Sequence, residues 1–178
     1  LEGLAEISQE IWHDAEFAGE CVALATEIRS AILKFGVVET TTGKTVLAYE
    51  VDGLGNSLLM DDANIPSLLS LPHLGFCDAQ DPLYQRTRSF VLSEANPYFH
   101  SGKAARGIGS PHTPDGNVWP LAIAMQGLTS TDASEVSACL EMLEQSDGET
   151  GHMHESFDPD RPENFTRPWF SWADMTYV

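Results

Sequence analysis

The amino-acid sequence predicts an all-α fold made of two concentric layers of helices, with one small β-hairpin. Apolar residues recur at helical spacing, and no strand–helix–strand alternation of the kind that builds a parallel sheet is visible. The predicted helices also come in pairs, in which an apolar helix follows a long polar loop and its partner is amphipathic. Because apolar helices are buried and amphipathic helices form an outer layer, this pairing is typical of an α/α barrel.

The first predicted elements are a helix over residues 4–35 and a hairpin over residues 37–51. Gly19 interrupts the helical pattern, so one helix or two are expected, and Gly36 ends it. The hairpin residues are β-branched and alternating on both sides of a Thr-Thr-Gly-Lys turn. The apolar positions of the helix are Leu4, Ile7, Ile11, Ala18, Val22, Ala25, Ile28 and Ile32.

Five further helices are predicted after the hairpin. An Asx residue followed by Pro marks a helix start, and Pro72 ends the first of the five. Residues 94–118 and 146–168 remain as long loops, and such loops usually carry function. The predicted helices span residues 64–71, 81–93, 119–130 and 132–145, the last of these with Val136, Leu140 and Leu143 buried, and a final helix begins near Pro168-Trp169.

The composition excludes several classes of function. The 178 residues include 27 acidic and 9 basic side chains, so the formal net charge is −18. This charge disfavours nucleic acid and an anionic membrane surface as partners. No apolar run approaches the roughly 20 residues of a membrane-spanning helix. A neutral, polyhydroxylated substrate fits the charge better than an anionic one.

The cysteines and the chain ends add two expectations. The 3 cysteines are far apart and contain no Cys-x-x-Cys pair, so neither a disulfide framework nor a zinc site is expected. The chain begins at Leu1 in an apparent helix and ends at Val178 in an apolar segment. We therefore expect a piece of a longer protein, whose compartment this sequence does not predict.

Asp61, Asp62 and Asn64 form the first group of candidate site residues. Adjacent acids before a helix usually serve as a cap and a partner of the helix dipole. In the functional interpretation, one carboxylate caps while the other accepts hydrogen bonds from vicinal sugar hydroxyls, and Asn64 adds a donor and an acceptor.

Three candidate loops each lead to a predicted helix start and concentrate unusual residues: the first over residues 49–64, the second over residues 109–120 and the third over residues 151–170. His112 lies in the second candidate loop, and Trp119 lies at the helix start that follows it. His112 either makes a structural hydrogen bond or contacts a substrate hydroxyl. Trp119 belongs to the core or forms a stacking platform for a sugar face. The loop has no phosphate-binding motif, and Ser110 lacks the Gly-x-Ser-x-Gly context of a serine hydrolase.

Glu155 is the candidate general base. It lies between His154 and Ser156 with aromatic residues close in sequence, and partial burial of a carboxylate favours base chemistry. The alternative is a loop acid in solvent or paired with Arg161 or Arg167. A metal site of His152, His154 and Glu155 is less favoured, because histidines two residues apart chelate only on an extended strand or a special turn.

These segments together resemble glycoside hydrolase family 125, the exo-acting α-1,6-mannosidases. They occur in the order of the family over roughly residues 45–175, and they are specific jointly rather than singly. The matching segments are residues 49–56, 60–72, 96–99, 101–103, 107–112, 119–120, 126–130, 153–157 and 165–170.

The resemblance implies an (α/α)6 barrel that removes terminal α-1,6-linked mannose with inversion of configuration, without a metal or other cofactor. It implies that Glu155 is the general base and that a mannose-containing oligosaccharide or N-glycan fragment is the partner. It further implies that Asp61, Asp62, Asn64, His112, Trp119 and His154 bind the sugar or shape its pocket.

One departure from the family is important. The motif that carries the general acid, which resembles Arg-Pro-Ser-Asp-Asp-Ala, is absent from this sequence, and the pair at Asp61-Asp62 is a different element. We therefore expect residues 1–178 to be the C-terminal part of a single catalytic domain. The segment alone is expected to be inactive, since inverting hydrolysis needs two carboxylates. The alternative function is a catalytically inactive glycan-binding protein of the same fold.

Overall fold

The computed structural model describes residues 1–178 as helices joined by small antiparallel sheets. The helices are α1 (Glu2–Ile7), α2 (Ala15–Phe35), α3 (Pro82–Val91), α4 (Pro120–Leu128), α5 (Ala133–Glu144) and α6 (Ser171–Tyr177), and a π-helical segment spans Ser8–Trp12. The strands are β1 (Val37–Glu39), β2 (Thr45–Leu47), β3 (Glu50–Val51), β4 (Ser57–Leu58), β5 (Phe99–Ser101), β6 (Arg106–Ile108), β7 (Ser156–Asp158) and β8 (Arg161–Thr166).

The sheets are more numerous than the single hairpin predicted. Strands β1 and β2 pair antiparallel where the sequence predicts a hairpin. Three further two-stranded sheets, β3–β4, β5–β6 and β7–β8, lie in segments predicted as loops. These strands are only two to six residues long, too short for a sequence period to reveal them.

The amino-terminal helical region breaks at His13 and Asp14 rather than at Gly19. His13 adopts a left-handed conformation with φ 57°, and the Asp14 side chain accepts a hydrogen bond from the Phe17 backbone N–H at 3.0 Å. This cap begins α2, which then runs through Gly19 to Gly36. A side chain at Gly36 would place its Cβ 2.8 Å from the Ile32 carbonyl oxygen, so the chain needs glycine where the helix ends.

The predicted apolar stripe of α2 is largely exposed. Val22 and Ile28 are 54% and 44% exposed, whereas Ala18 and Cys21 are the buried residues of this helix. An exposed apolar face of this length on one helix is typical of a contact surface that is not covered.

The helix predicted over residues 64–71 is wrong, and this segment forms tight turns instead. The Asp61 carboxylate accepts hydrogen bonds from the backbone N–H groups of Leu68 and Leu69, at 2.8 and 2.9 Å. Ser67 and Ser70 exchange side-chain-to-backbone hydrogen bonds. These local bonds satisfy the donors that a helix would otherwise pair along its axis.

Helix α4 lies at the centre of the hydrophobic core. Seven consecutive residues from Pro120 to Gln126 are buried, as predicted for an apolar inner helix. Helices α5 and α6 both pack against it. On α5, Cys139 and Leu143 are buried, but Leu140 is 46% exposed, which corrects the predicted stripe. None of the helices is both long and apolar enough to span a membrane.

Candidate functional site

Glu155 lies immediately before β7, where this strand pairs with the end of β8. Ser156 stands opposite Thr166 in the register of the two strands, which brings Thr166 and Arg167 beside the Glu155 side chain. The Glu155 side chain is 14% exposed. Its Oε2 atom accepts a hydrogen bond from the Thr166 hydroxyl at 3.2 Å and lies 3.2 Å from Nε of Arg167. The pairing with Arg167 is the arrangement that the sequence left open as an alternative.

The two oxygens of Glu155 differ in their surroundings. Oε2 carries both contacts with Thr166 and Arg167, while no protein donor is within hydrogen-bond distance of Oε1. Such a carboxylate is held through one oxygen and can accept a proton through the other. This arrangement is compatible with a general base, which must have an oxygen within hydrogen-bond reach of the proton it removes.

His154 is fully buried and connects two backbone segments through its ring nitrogens. Its Nδ1 is 3.2 Å from the Arg167 carbonyl oxygen and its Nε2 is 3.0 Å from the Asp147 carbonyl oxygen. The ring stacks on Phe165 with a centroid distance of 3.6 Å. Both nitrogens are directed at backbone carbonyl oxygens rather than at a position where a metal ion could bind, and no cluster of three metal-binding side chains is found in residues 1–178.

Asp61 is fully buried, and both of its carboxylate oxygens accept backbone N–H donors. Burial raises the pKa of Asp61 to about 7, against the lowering effect of these hydrogen bonds. The side chain of Asn96 exchanges hydrogen bonds with the Asp61 backbone on the other side. This placement favours a supporting role for Asp61 over direct contact with a ligand.

Asp62, Asn64 and His112 belong to one hydrogen-bonded series that joins two loops. Oδ1 of Asp62 accepts hydrogen bonds from the backbone N–H and the side-chain amide of Asn64, at 3.2 and 3.0 Å. The Asn64 amide also lies 3.4 Å from Oγ of Ser110, which accepts the backbone N–H of His112 at 3.2 Å. Oδ2 of Asp62 and the His112 ring have no protein partner in this series; Asp62 is only 5% exposed, whereas His112 is exposed.

Trp119 belongs to the core, which is one of the two roles expected for it. It is 2% exposed, its indole N–H donates to the Thr113 hydroxyl at 2.9 Å, and its ring makes an edge contact with Phe170 at 5.8 Å. It therefore fixes the second loop against the third rather than offering a face to a sugar.

The three candidate loops meet through the backbone. The Ala63 N–H donates to the Gly109 carbonyl at 3.1 Å, which joins the first loop to the second. Val118 and Phe157 exchange two backbone hydrogen bonds of 2.9 Å, which joins the second loop to the third. The three segments therefore lie side by side, although only the second of them leads directly into a helix that is buried along most of its length.

Several residues that support the site were not predicted. Burial is the main reason that the pKa of Tyr49 is raised, and the nearby carboxylates of Asp62 and Asp61 raise it further. Asp174 of α6 accepts the Met153 N–H at 2.8 Å and holds the start of the third loop. Thr166 lies in one of the segments that resemble the family. Nothing in its local sequence indicates that it contacts Glu155, because that contact depends on strand register.

Comparison with known proteins covers the whole chain. The profile of the metal-independent α-mannosidases, glycoside hydrolase family 125, matches residues 1–178. The "Meiotically up-regulated gene 157 protein" of Schizosaccharomyces pombe is 46% identical over 179 residues, which cover 100% of this chain and 35% of the relative. The chain thus spans about a third of the length of this relative.

A solved structure is similar over nearly the same extent. It is a Streptococcus pneumoniae protein, described among widely distributed metal-independent α-mannosidases and the processing of N-linked glycans, in a non-productive complex with α-1,6-mannobiose. The TM-score is 0.93 at 43% identity, covering 97% of this chain and 41% of that chain. With a family match over every residue, the chain belongs to the metal-independent α-mannosidases of glycoside hydrolase family 125.

Proposed function

We propose that this chain is the C-terminal part of the catalytic domain of an inverting exo-α-1,6-mannosidase, in which Glu155 is the general base. The observation that carries the proposal is the asymmetry of the Glu155 carboxylate, anchored at Oε2 by Thr166 and Arg167 and without a protein partner at Oε1. The complex of the Streptococcus pneumoniae relative with α-1,6-mannobiose supports this choice of linkage.

In the proposed reaction, Oε1 of Glu155 accepts a proton from a water molecule as the water oxygen attacks the anomeric carbon. The glycosidic oxygen leaves from the opposite face and takes a proton from a general acid. The two carboxyl groups of an inverting enzyme stand about 6.5–9.5 Å apart to accommodate that water. We assign the acid to a part of the domain outside these 178 residues, because the motif that carries it in the family is absent from this sequence. The buried Asp61 carboxylate is committed to backbone donors.

We propose that Asp62, Asn64 and His112 bind the hydroxyl groups of a terminal mannose. A carboxylate oxygen without a protein partner and an adjacent amide suit vicinal hydroxyls, which both donate and accept hydrogen bonds. The polar side-chain atoms of Asp61, Trp119 and His154 all have partners within this chain. We therefore propose that these three residues hold the wall of the pocket in place.

We also propose that the whole domain is an (α/α)6 barrel to which this chain contributes about half. The exposed apolar face of α2 and the 41% coverage of the related structure support this proposal. The missing helices would cover Val22, Ile28 and the neighbouring apolar positions.

The test is a comparison of the full-length protein with its Glu155→Gln variant on α-1,6-mannobiose. We expect the variant to lose turnover and to retain binding, because Gln preserves the shape of the side chain but accepts no proton. NMR of the first-formed mannose should show inverted anomeric configuration, and the α-1,2 and α-1,3 isomers should react more slowly. Wild-type rates in the variant would refute the base assignment. Mannose binding without turnover by the wild-type protein would instead favour the inactive glycan-binding alternative.

A further inference from the structure

A series of polar side chains leads from the second loop to the proposed base. The Asn117 amide donates to the Ser156 hydroxyl at 2.9 Å, the Ser156 and Thr166 hydroxyls lie 2.8 Å apart, and the Thr166 hydroxyl donates to Oε2 of Glu155 at 3.2 Å. Ser156 is fully buried, and the other members are partly buried. Asn117 does not touch Glu155.

The direction of every proton in this series follows from the chemistry of its two ends. An ionised carboxylate only accepts hydrogen bonds, so the single Thr166 proton must point to Glu155. Thr166 can then only accept at its contact with Ser156, so the Ser156 proton points to Thr166. Ser156 must in turn accept from its other neighbour, and the Asn117 NH₂ group is a donor there.

We propose that Asn117 is a positioning residue for Glu155, acting through Ser156 and Thr166, an inference that rests on the proposed function of Glu155 as the base. The amide at the far end orients both hydroxyl groups, so that one hydrogen bond is always directed at Oε2. Glu155 is held by that oxygen, and Oε1 remains in place to receive the proton of the attacking water.

The fold makes this arrangement rigid at both ends. Val118, the residue after Asn117, exchanges two backbone hydrogen bonds of 2.9 Å with Phe157, the residue after Ser156. Ser156 and Thr166 are direct partners in the β7–β8 register. The polar series therefore connects three backbone segments whose relative positions are already set by strand pairing.

The ion pair with Arg167 does not replace this series. Arg167 is the charged side chain in contact with Glu155, and its own side chain is 64% exposed. Exposed ion pairs are screened by salt and hold geometry poorly. The neighbouring His154 is turned away, toward the carbonyl oxygens of Arg167 and Asp147. The hydroxyl of Thr166 is thus the partner best suited to fix the carboxylate.

The kinetic test uses the full-length protein with variants at each position of the series. Thr166→Val removes the hydroxyl at nearly constant volume, and we expect kcat to fall about 10- to 100-fold with little change in KM, given the strength of a hydrogen bond to a charged group. The acidic limb of the profile of kcat/KM against pH should move to higher pH. Thr166→Ser, which keeps the hydroxyl, should restore most of the rate. Equal losses in the Val and Ser variants would overturn the proposal.

Asn117→Asp tests the remote position, because it replaces the donor by an acceptor of the same shape. The Ser156 proton would turn to the new carboxylate, the Thr166 proton would turn to Ser156, and Glu155 would lose its donor. We expect a loss of kcat of roughly tenfold. The new charge could also act directly through space, so Ser156→Ala provides the control background. In that background the further effect of Asn117→Asp should be less than about twofold, since the connection is already broken. If Asn117→Asp lowered kcat by a further tenfold in that background, the proposed connection through Ser156 and Thr166 would be overturned.

A readout independent of turnover separates this inference from the proposed function. In the full-length protein with ¹³C-labelled glutamate, the Glu155 carboxyl signal is assigned by its disappearance in Glu155→Gln and is followed as a function of pH. Its titration midpoint should rise in Thr166→Val and in Asn117→Asp, and should return toward the wild-type midpoint in Thr166→Ser. If the wild-type enzyme proves inactive while these midpoints move, the proposed function fails and the positioning network stands. Unmoved midpoints in both variants would overturn the network whatever the activity.

Discussion

The buried carboxylate of Asp61 should make the stability of this chain depend on pH in a measurable way. Burial raises the pKa of Asp61 from 3.8 to about 7. Between these values the folded chain binds more protons than the unfolded chain, so the free energy of unfolding falls as pH rises. The contribution of Asp61 is most favourable below its unfolded pKa and is lost as pH rises toward the folded pKa.

The magnitude follows from the size of the shift. One pKa unit corresponds to about 1.4 kcal/mol, so between pH 5 and 7.5 the Asp61 contribution should fall by about 3 kcal/mol. Asp61→Asn does not titrate, but its amide can accept only one of the two N–H donors, from Leu68 and Leu69. The unpaired donor costs about 1–3 kcal/mol at every pH. The variant should therefore gain stability relative to the wild type, by about 3 kcal/mol, as pH rises from 5 to 7.5.

Urea denaturation followed by circular dichroism at several pH values between 5 and 8 measures this difference. Comparing the variant with the wild type removes most of the background from the net charge of −18, which both chains nearly share. Asp132→Asn is the matched control. The hydrogen bond from the Ser134 side chain lowers the pKa of Asp132, so it stays ionised throughout this range and its variant should show a constant difference. A constant difference for Asp61→Asn as well would refute the reasoning.

Three other outcomes follow from the placement of individual side chains. Trp119→Ala should destabilise the chain by about 3–5 kcal/mol in urea denaturation, because the ring is fully packed, whereas Trp169→Ala, at a ring 64% exposed, should cost about 1 kcal/mol or less. Similar losses for the two variants would contradict the core assignment. In the full-length protein, Asp62→Asn should lower kcat/KM for α-1,6-mannobiose about 10- to 100-fold, as expected for a hydrogen bond between a hydroxyl and a charged group. Unchanged kcat/KM would remove Asp62 from the sugar-binding set. Ile28→Glu should reduce self-association of the 178-residue chain in light scattering without lowering its urea midpoint, since Ile28 is exposed on an apolar face. A large loss of stability would show instead that this face is packed.

The helices that local chemistry marks were predictable. Asp81-Pro82 begins α3, Pro120 begins α4 and Asp132 caps α5, each within a few residues of the expected start. Asx caps and early prolines act on the neighbouring turn, so their effect can be interpreted without knowledge of the rest of the chain.

The helix-start signals gave a wrong prediction at residues 61–72, because the hydrogen-bond partners of Asp61 lie far from it in the sequence. The Asp61 carboxylate pairs with donors seven and eight residues further on, and Asn96, 35 residues away, holds its backbone from the other side. A start signature read from neighbouring residues cannot distinguish a helix cap from a carboxylate that closes a loop.

The sequence identifies Glu155 as the candidate base, but it does not identify the residues that hold this side chain in place. Its aromatic neighbours and the resemblance to the family single it out, and the family match covers the whole chain. The residues that hold it do not follow from the sequence. Asn117 and Ser156 are 39 positions apart, and only strand pairing brings them together.

The sequence by itself determined the family, the acidic charge, the apolar helix α4 and most helix starts. Each of these depends on composition, on short motifs or on residues within one turn of one another. Only the tertiary structure decided which carboxylates are committed to the backbone and which remain available. Asp61 and Glu155 are the same kind of group in two different loops. The former is closed off by Leu68 and Leu69, and the latter is held at one oxygen by Thr166. The physical reason is that a carboxylate acquires its role from the donors around it, and the donors here come from elsewhere in the chain.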